Sequence, residues 1–264
     1  MRLTEAVPLC LRPASRGWPG VVLLGCFGFS LGSAAPTGDE LLRSVDAALN
    51  PIVALRLDYV AVTKEDEPGL DHVVRLTLIA QGEKRLYEYI APPDANGTKL
   101  LILGPRQAYV YLPSFGKVRR LTPQSDSEGF LGMMFTPQDL GASRFSTLYT
   151  ARVTRDDEHG CNLELTPRLG QAAPFARIKM HMMKPEMLPF MLEYYDKDGV
   201  KLRTELRQHY ETKDPLTTLS QIRITDHRPK GSTTTFYRLD WEILTELPPE
   251  TFTTKGLIPV PVND

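Results

Sequence analysis

The segment from Val110 to Leu140, VYLPSFGKVRRLTPQSDSEGFLGMMFTPQDL, places two adjacent arginines among apolar side chains. Neighbouring residues of a strand point to opposite faces, so on a sheet with one solvated face either Arg119 or Arg120 must point inward. Together with Lys117 they could bind an anionic head group, because a guanidinium offers a planar fork of donors, or they could form a solvent-facing hairpin end. An inward arginine needs partners, and the candidates are backbone carbonyls of the following loop or Asp139.

Residue types that catalyse reactions or bind metals are present, but their spacing predicts no catalytic or metal site. The five histidines are scattered, and the chain contains no HExxH pair, GxSxG elbow, Walker loop or GxGxxG after a strand. Cys161, in HGCNLEL, reads as a small buried hydrophobe of a strand rather than a nucleophile. The carboxylate pairs Asp156/Asp157 and Asp196/Asp198 lie in turns and are expected to be solvated. We therefore expect a protein without catalysis, cofactor or metal.

The first 35 residues differ from the remainder. Arginines precede the apolar run GVVLLGCFGFSLGSAA, which ends in small residues, and this pattern predicts a secretory signal at 1–35 cleaved after Ala35. A retained anchor is the alternative, although the run falls short of the roughly 20 residues that span a bilayer. The LLGC stretch also resembles a lipoprotein acylation site at Cys26. Residues 36–264 are then expected to form a single exported domain.

The remaining chain has the composition of a soluble globular protein whose stability depends on its core. Overall it is 42% hydrophobic and 24% charged. Removing residues 1–35 leaves Cys161 as the only cysteine, so no internal disulfide can form. It also leaves 28 basic and 31 acidic residues, a net charge of −3, because the removed part holds three arginines and one glutamate. This weak negative charge argues against a nucleic-acid partner.

The periodicity of apolar residues predicts one helix followed by strands. TGDELLRSVDAALNP has Thr37 as a candidate N-cap and ends before Pro51, as expected of an amphipathic helix. From Leu55 onward apolar and polar residues alternate in short segments, and DKDG at Asp196 to Gly199 is a typical hairpin turn. We predict about eleven strands in one meandering antiparallel sheet.

A twisted sheet of that many strands tends to curl and to enclose space on one face. The inner face should carry bulky side chains, and one helix is too small to cover them, so a ligand cavity is predicted. A fully packed β-sandwich core is the alternative. The expected inner residues are Tyr87 or Leu86, Tyr109 or Val110, Met180, Met182, Trp241 and Ile243.

An apolar loop with short helical turns interrupts the strands. PQSDSEGFLGMMFTPQDLGAS carries large side chains, while its glycines and Pro137 prevent a regular strand. Such a methionine-rich segment suits adaptable apolar contacts and is expected to act as a flap over the cavity, or simply as a lid that closes a core. Its apolar members are Phe130, Leu131, Met133, Met134 and Phe135.

Five segments in this order resemble the bacterial outer-membrane lipoprotein-sorting family, within the LolA/LolB-like carrier superfamily. The resemblance spans about Leu86 to Leu257, and its most specific part is the YLP, VRR, FLG and QDL block. The segments are YEYIAPPDANGTKLLIL, YVYLPSFGKVRRL, EGFLGMMFTPQDL, LPFMLEYYDKDGVKL and LPPETFTTKGL.

The resemblance implies a periplasmic protein with an incomplete antiparallel β-barrel, a lid, and a hydrophobic cavity that accepts lipid or lipoprotein acyl chains without cleaving them. It also implies an inward arginine that holds the lid, here Arg119 or Arg120, and a possible RND-type inner-membrane transporter as partner. The family pattern has an aspartate after FLG where this chain has Met133 and Met134, so Asp139 or a more apolar flap replaces it. A static envelope scaffold and a lipid hydrolase are the alternatives.

Overall fold

In the computed structural model, which describes residues 35–65, 71–104, 107–121, 144–213, 216–228 and 231–259, the first element is helix α1, Gly38–Leu49. Its start follows from a capping box: the backbone N–H of Glu40 donates to the Thr37 hydroxyl at 3.3 Å, and the Glu40 carboxylate accepts from the Thr37 backbone at 2.7 Å. One side of the helix, with Leu42 and Val45, is buried. The predicted N-cap and the end before Pro51 are confirmed.

The strands form one antiparallel sheet that is not closed into a barrel, as predicted. Two meanders, β1 to β6 and β7 to β13, join where β1 pairs with β13, so β6 and β7 form the two edges. The strands are β1 Ala54–Lys64, β2 His72–Gln81, β3 Lys84–Ala91, β4 Lys99–Gly104, β5 Gln107–Leu112, β6 Lys117–Leu121, β7 Tyr149–Asp156, β8 Gly160–Pro167, β9 Arg177–Met183, β10 Leu188–Tyr195, β11 Lys201–Lys213, β12 Leu216–Asp226 and β13 Thr233–Leu244.

The described residues contain thirteen strands rather than about eleven. Strand β6, KVRRL, shows why the estimate was low, because three of its five residues are charged and hydrophobic alternation does not reveal it. It is joined to β5 by a 3₁₀ turn, Pro113–Phe115, and by Gly116 in the left-handed conformation (φ 60°). A short helix, α2, Phe145–Leu148, precedes β7.

Helix α1 packs on one face of the sheet, which we call the inner face; the opposite face is the outer face. Leu42 and Val45 are buried against apolar side chains of β7 to β10, and Phe145 of α2 joins the same cluster. This is the principal core of the described residues. Its strand members are Tyr149, Cys161, Leu163, Leu165, Ile178, Met180, Met182, Leu192 and Tyr194.

A second, smaller core lies on the outer face of β3 to β5. Leu86, Leu101 and Tyr111 are buried there beneath Leu257, which belongs to the segment after β13. The register therefore settles two open alternatives of the sequence. Tyr87 and Val110 lie on the inner face, whereas Leu86 and Tyr109 lie on the outer face.

Replacing Gly38 by alanine is expected to destabilise the protein by about 1–3 kcal/mol, because an added methyl group overpacks a tight contact. A Cβ at Gly38 would lie 2.3 Å from the backbone oxygen of Ala151 on β7, where no flexible side chain can yield. Thermal unfolding of Gly38→Ala measures the effect. Gly104→Ala is the matched control, since a Cβ there meets nothing within 4 Å; equal stability of both variants would contradict the close approach.

Candidate functional site

The two adjacent arginines lie on the edge strand β6, and the register separates them. Arg119 pairs with Val110 and Arg120 with Tyr109, so Arg119 is on the inner face and Arg120 on the outer face. Both side chains are exposed, as expected at the sheet edge. The guanidinium of Arg119 lies 5.0 Å from the ring centre of Phe115, within range of a cation–π contact.

The predicted flap residues lie outside the described residues. These are Phe130, Leu131, Met133, Met134 and Phe135, together with Asp139. Their proposed contacts with an arginine and with a ligand stay predictions.

Met180, Met182 and Trp241 are inner-face residues of the core. Met180 and Met182 are fully buried beneath α1, and Trp241 is 4% exposed beside Leu55 and Leu57. None of the three lines the cavity described next. They belong instead to core clusters that include lining residues, Ile178 and Tyr194 for the methionines and Leu55 and Leu57 for Trp241.

A cavity of about 290 Å³ lies on the inner face, between the end of α1, helix α2 and the central strands. This volume is close to the lower end of the usual range for ligand pockets, about 300–1,000 Å³. Its wall is mainly apolar, and Ala48 and Leu49 of α1 contribute to it. The apolar lining from the strands and from α2 comprises Leu55, Leu57, Leu78, Ala80, Phe145, Leu148, Ile178, Leu219 and Ile222.

A charged cluster on β11 forms one wall of the cavity. Arg203, Glu205 and Arg207 occupy successive inner-face positions, and Arg203 and Glu205 are 9% and 6% exposed. The Nε of Arg207 donates to Oε1 of Glu205 at 2.7 Å, and the hydroxyl of Tyr194 donates to Oε2 at 2.7 Å. The guanidinium of Arg203 lies 4.2 Å from the Tyr194 ring centre and 4.8 Å from that of Phe175.

Glu205 and Arg207 each stabilise the ionised form of the other. Burial alone would raise the pKa of Glu205, but the charges of Arg207 and Arg203 and the Tyr194 hydroxyl hold this pKa below its ordinary value. Burial likewise opposes the charge of Arg207, yet Glu205 outweighs it and raises the pKa of Arg207. The pKa of Tyr194 is raised well above its ordinary value, mainly by burial. Glu205 and Arg207 therefore form a buried ion pair.

Two further inner-face arginines have fixed positions. Arg85 lines the cavity and donates to Oδ1 of Asn50, the C-cap of α1, at 2.7 Å. Arg238 has a side chain that is 3% exposed and contacts Glu211, Thr218 and Ser220. Inward arginines thus occur on β3, β11 and β13, in addition to Arg119 at the edge.

The charged wall was not recognised from the sequence. The alternation of Arg203, Glu205 and Arg207 with Leu202, Thr204 and Leu206 was evident, but alternation alone does not say which set points inward. Here the charged set points to the inner face, and Leu206 faces a second, outer pocket. The sequence signal that could have indicated a functional wall is the excess of arginine over acid in this alternating set, two arginines to one glutamate.

Cys161 is buried in the core, and burial raises the pKa of its thiol. Among the described residues no cluster of His, Cys, Asp and Glu could hold a metal ion. The same residues include no helix with both the length and the apolar character needed to cross a bilayer.

A sequence-family model described as "-like: Uncharacterized protein" matches residues 81–258. No curated protein matches the chain.

Three solved structures share the fold over most of the chain. A DUF1329 family protein from Desulfovibrio piger is 21% identical, with a TM-score of 0.75, over 83% of this chain and 97% of that one. A putative outer membrane lipoprotein-sorting protein domain from Vibrio parahaemolyticus is 20% identical, with a TM-score of 0.73, over 84% of this chain and 98% of that one. A LolA superfamily protein from Nitrosomonas europaea is 19% identical, with a TM-score of 0.69, over 84% of this chain and 100% of that one. What they share with this chain is the fold, the open antiparallel sheet described above.

Proposed function

Because the chain belongs to the family whose model matches residues 81–258 and has the LolA-type open-barrel fold, we propose that it is a periplasmic carrier of lipid or lipoprotein acyl chains. The apolar part of the cargo occupies the cavity beneath α1 and is transferred without being cleaved. An RND-type inner-membrane transporter is the proposed partner in this transfer.

The cavity is the observation that carries this proposal. An acyl chain placed there exchanges water for the leucine-rich wall, and each buried methylene contributes about 0.8 kcal/mol. Affinity then scales with the length of chain enclosed, and release requires the wall to open. The parts of the wall outside the sheet include helix α2, the C-terminal end of α1, and Pro174 and Phe175 of the loop before β9.

Export by a cleaved signal at residues 1–35 is part of the same proposal. Cleavage after Ala35 leaves Thr37 free to cap α1, which begins at Gly38. In this protein Cys26 is removed with the signal, whereas acylation at Cys26 would tether the carrier to a membrane.

Mass spectrometry of an organic extract tests the proposal, using protein purified from its native cell envelope. A lipid in near-stoichiometric amount is the expected result, and the intact mass of the same sample identifies the mature N-terminus. Absence of lipid, together with failure of added lipids to bind, would favour a static scaffold with a closed core instead.

Replacing Ala48 by tryptophan is expected to reduce the lipid retained by more than about tenfold. Ala48 lies at the cavity wall near the exposed side of α1, and an indole that displaces two methylene groups removes about 1.6 kcal/mol of burial. Ala47→Trp is the matched control, since Ala47 is exposed on the same helix and does not line the cavity. Equal retention by both variants would place the cargo elsewhere.

A further inference from the structure

The polar groups that line the cavity are mostly positively charged or hydrogen-bond donors. Its charged lining residues are Arg85, Arg203, Glu205 and Arg207, three positive and one negative, so their formal charges sum to +2 within the described residues. Asp226 lies opposite Arg203 in the register and offsets part of that charge without lining the cavity. A purely apolar ligand leaves this excess of charge in a poorly solvated wall.

The single carboxylate of the lining is already engaged on both oxygens. Oε1 of Glu205 accepts from Arg207 and Oε2 accepts from Tyr194, each at 2.7 Å. Glu205 therefore has its charge compensated inside the wall by Arg207, which makes it a weaker partner for a cationic ligand than an unpaired carboxylate would be.

The opposite wall, on β1 and β3, presents donors whose partners are neutral. Arg85 donates to the backbone oxygens of Gly82 at 2.5 Å and Lys84 at 2.9 Å, as well as to the amide oxygen of Asn50. The nearby carboxylate of Glu83 pairs instead with Arg144 at 2.8 Å. Burial lowers the pKa of Arg85, although Tyr87, Tyr59 and the nearby charge of Glu83 oppose this, and no acidic residue of the described ranges forms an ion pair with Arg85.

Two tyrosines stand beside Arg85 on this wall. Tyr87 is two residues along the same strand face, Tyr59 lies on β1, and both line the cavity. Within the described residues neither hydroxyl makes a hydrogen bond. Burial raises the pKa of Tyr87 to about 12 and also raises that of Tyr59, so both remain neutral donors at physiological pH.

We propose that the cavity selects an anionic amphiphile, an apolar chain that carries a carboxylate or phosphate, and that Arg85, Tyr59 and Tyr87 bind the acidic group. The inference rests on the proposed carrier function and specifies its substrate class. The leucine side chains hold the apolar chain, while the guanidinium and the two hydroxyls supply the donors that an acidic oxygen requires. The β11 wall adds little net charge, because Arg207 is paired with Glu205 and Arg203 lies opposite Asp226 in the register.

Competition between ligands of equal chain tests this selection on the purified, delipidated protein. Oleate, oleyl phosphate, oleyl alcohol and oleylamine each displace a bound uncharged dye, N-phenylnaphthylamine. At least one of the two acids is expected to bind about tenfold or more tightly than the alcohol, because charge-assisted hydrogen bonds to a buried anion are strong. The two acids separate a carboxylate from a phosphate preference.

Two variants test whether the wall formed by β1 and β3 binds the acidic group of the ligand. Arg85→Gln and the double variant Tyr59→Phe/Tyr87→Phe are expected to weaken binding of the acid by about tenfold while leaving the alcohol unchanged. The controls are Arg75→Gln and Tyr237→Phe, which alter exposed residues outside the cavity. The tyrosine variant removes only hydroxyls that bond no described residue, so it keeps the test decisive if loss of Arg85 loosens α1.

Two results would overturn the inference in distinguishable ways. If acid, alcohol and amine bind equally well, or if the variants weaken all ligands alike, the carrier function stands and the anion selection falls. If no ligand displaces the dye and the native extract contains no lipid, the carrier function falls with it.

Discussion

Replacing Arg207 by methionine is expected to lower the free energy of unfolding by about 3–5 kcal/mol, because it leaves the buried charge of Glu205 without its main partner. Glu205 is 6% exposed, and its Oε1 accepts the Nε–H of Arg207 at 2.7 Å. The remaining Tyr194 hydroxyl bonds the other oxygen and carries no charge. Urea denaturation at neutral pH measures the loss.

The matched control removes both charges at once. In Glu205→Leu/Arg207→Met no charge of the pair is left buried, so most of the stability should return, as for other buried pairs replaced by apolar groups. A double variant as unstable as Arg207→Met would mean that packing, not charge, causes the loss.

The pH dependence of the same pair has a definite sign. The pKa of Glu205 is depressed in the folded protein, so its stabilisation is fully present above the ordinary glutamate pKa and is lost as pH falls through the folded-state pKa. Stability of the parent should therefore fall more steeply in acid than that of the double variant. Parallel curves would show that this pair does not govern acid sensitivity.

Replacing Asp46 by alanine is expected to cost about 3 kcal/mol and to release bound lipid. Asp46 is 3% exposed, and its carboxylate accepts the backbone N–H groups of Phe145 and Ser146, each at 2.8 Å. Bonds of this kind to a charged acceptor contribute about 1.5–3 kcal/mol each, and their loss leaves buried donors unpaired. Since Phe145 and Leu148 line the cavity, loosening α2 opens the wall.

Urea denaturation and the lipid content of the purified protein measure these two effects. Arg43→Ala, an exposed change on the same helix, is the control and should alter neither. If Asp46→Ala unfolded like the parent yet lost its lipid, α2 would act as a gate that adds nothing to global stability; if it retained both, Asp46 would not anchor α2.

The Asp46 contact joins elements far apart in the chain, whereas the Glu205 pair lies within one hairpin. Asp46 belongs to α1 and its partners immediately precede β7, so the helix and α2 are joined without sheet hydrogen bonds. The Glu205 pair joins β11 to β10 through Tyr194. The cavity lies between these two connections, and its shape depends on them.

Local sequence determined α1 and most strands because their signals are short in range. Thr37 and Glu40 form the capping box, Pro51 prevents continuation, and the DKDG segment makes its turn with Gly199 at φ 79°. Alternation marked nearly every strand, and the family resemblance led to the open barrel that the structure has. Strand β6 shows no hydrophobic alternation because three of its five residues are charged, so the sequence supported only the argument from the opposite facing of its two arginines.

Only the tertiary structure decided which side of each strand faces inward. A period of two has two equivalent sides, and the choice is made by what packs on them: α1 over β7 to β10 on the inner face, and Leu257 over Leu86 and Tyr111 on the outer face. This choice of facing also placed the charged side chains of β11 at the cavity, namely Arg203, Glu205 and Arg207. The sequence by itself thus determined the elements and their fold class, whereas packing between distant elements determined the cavity and the charges that line it.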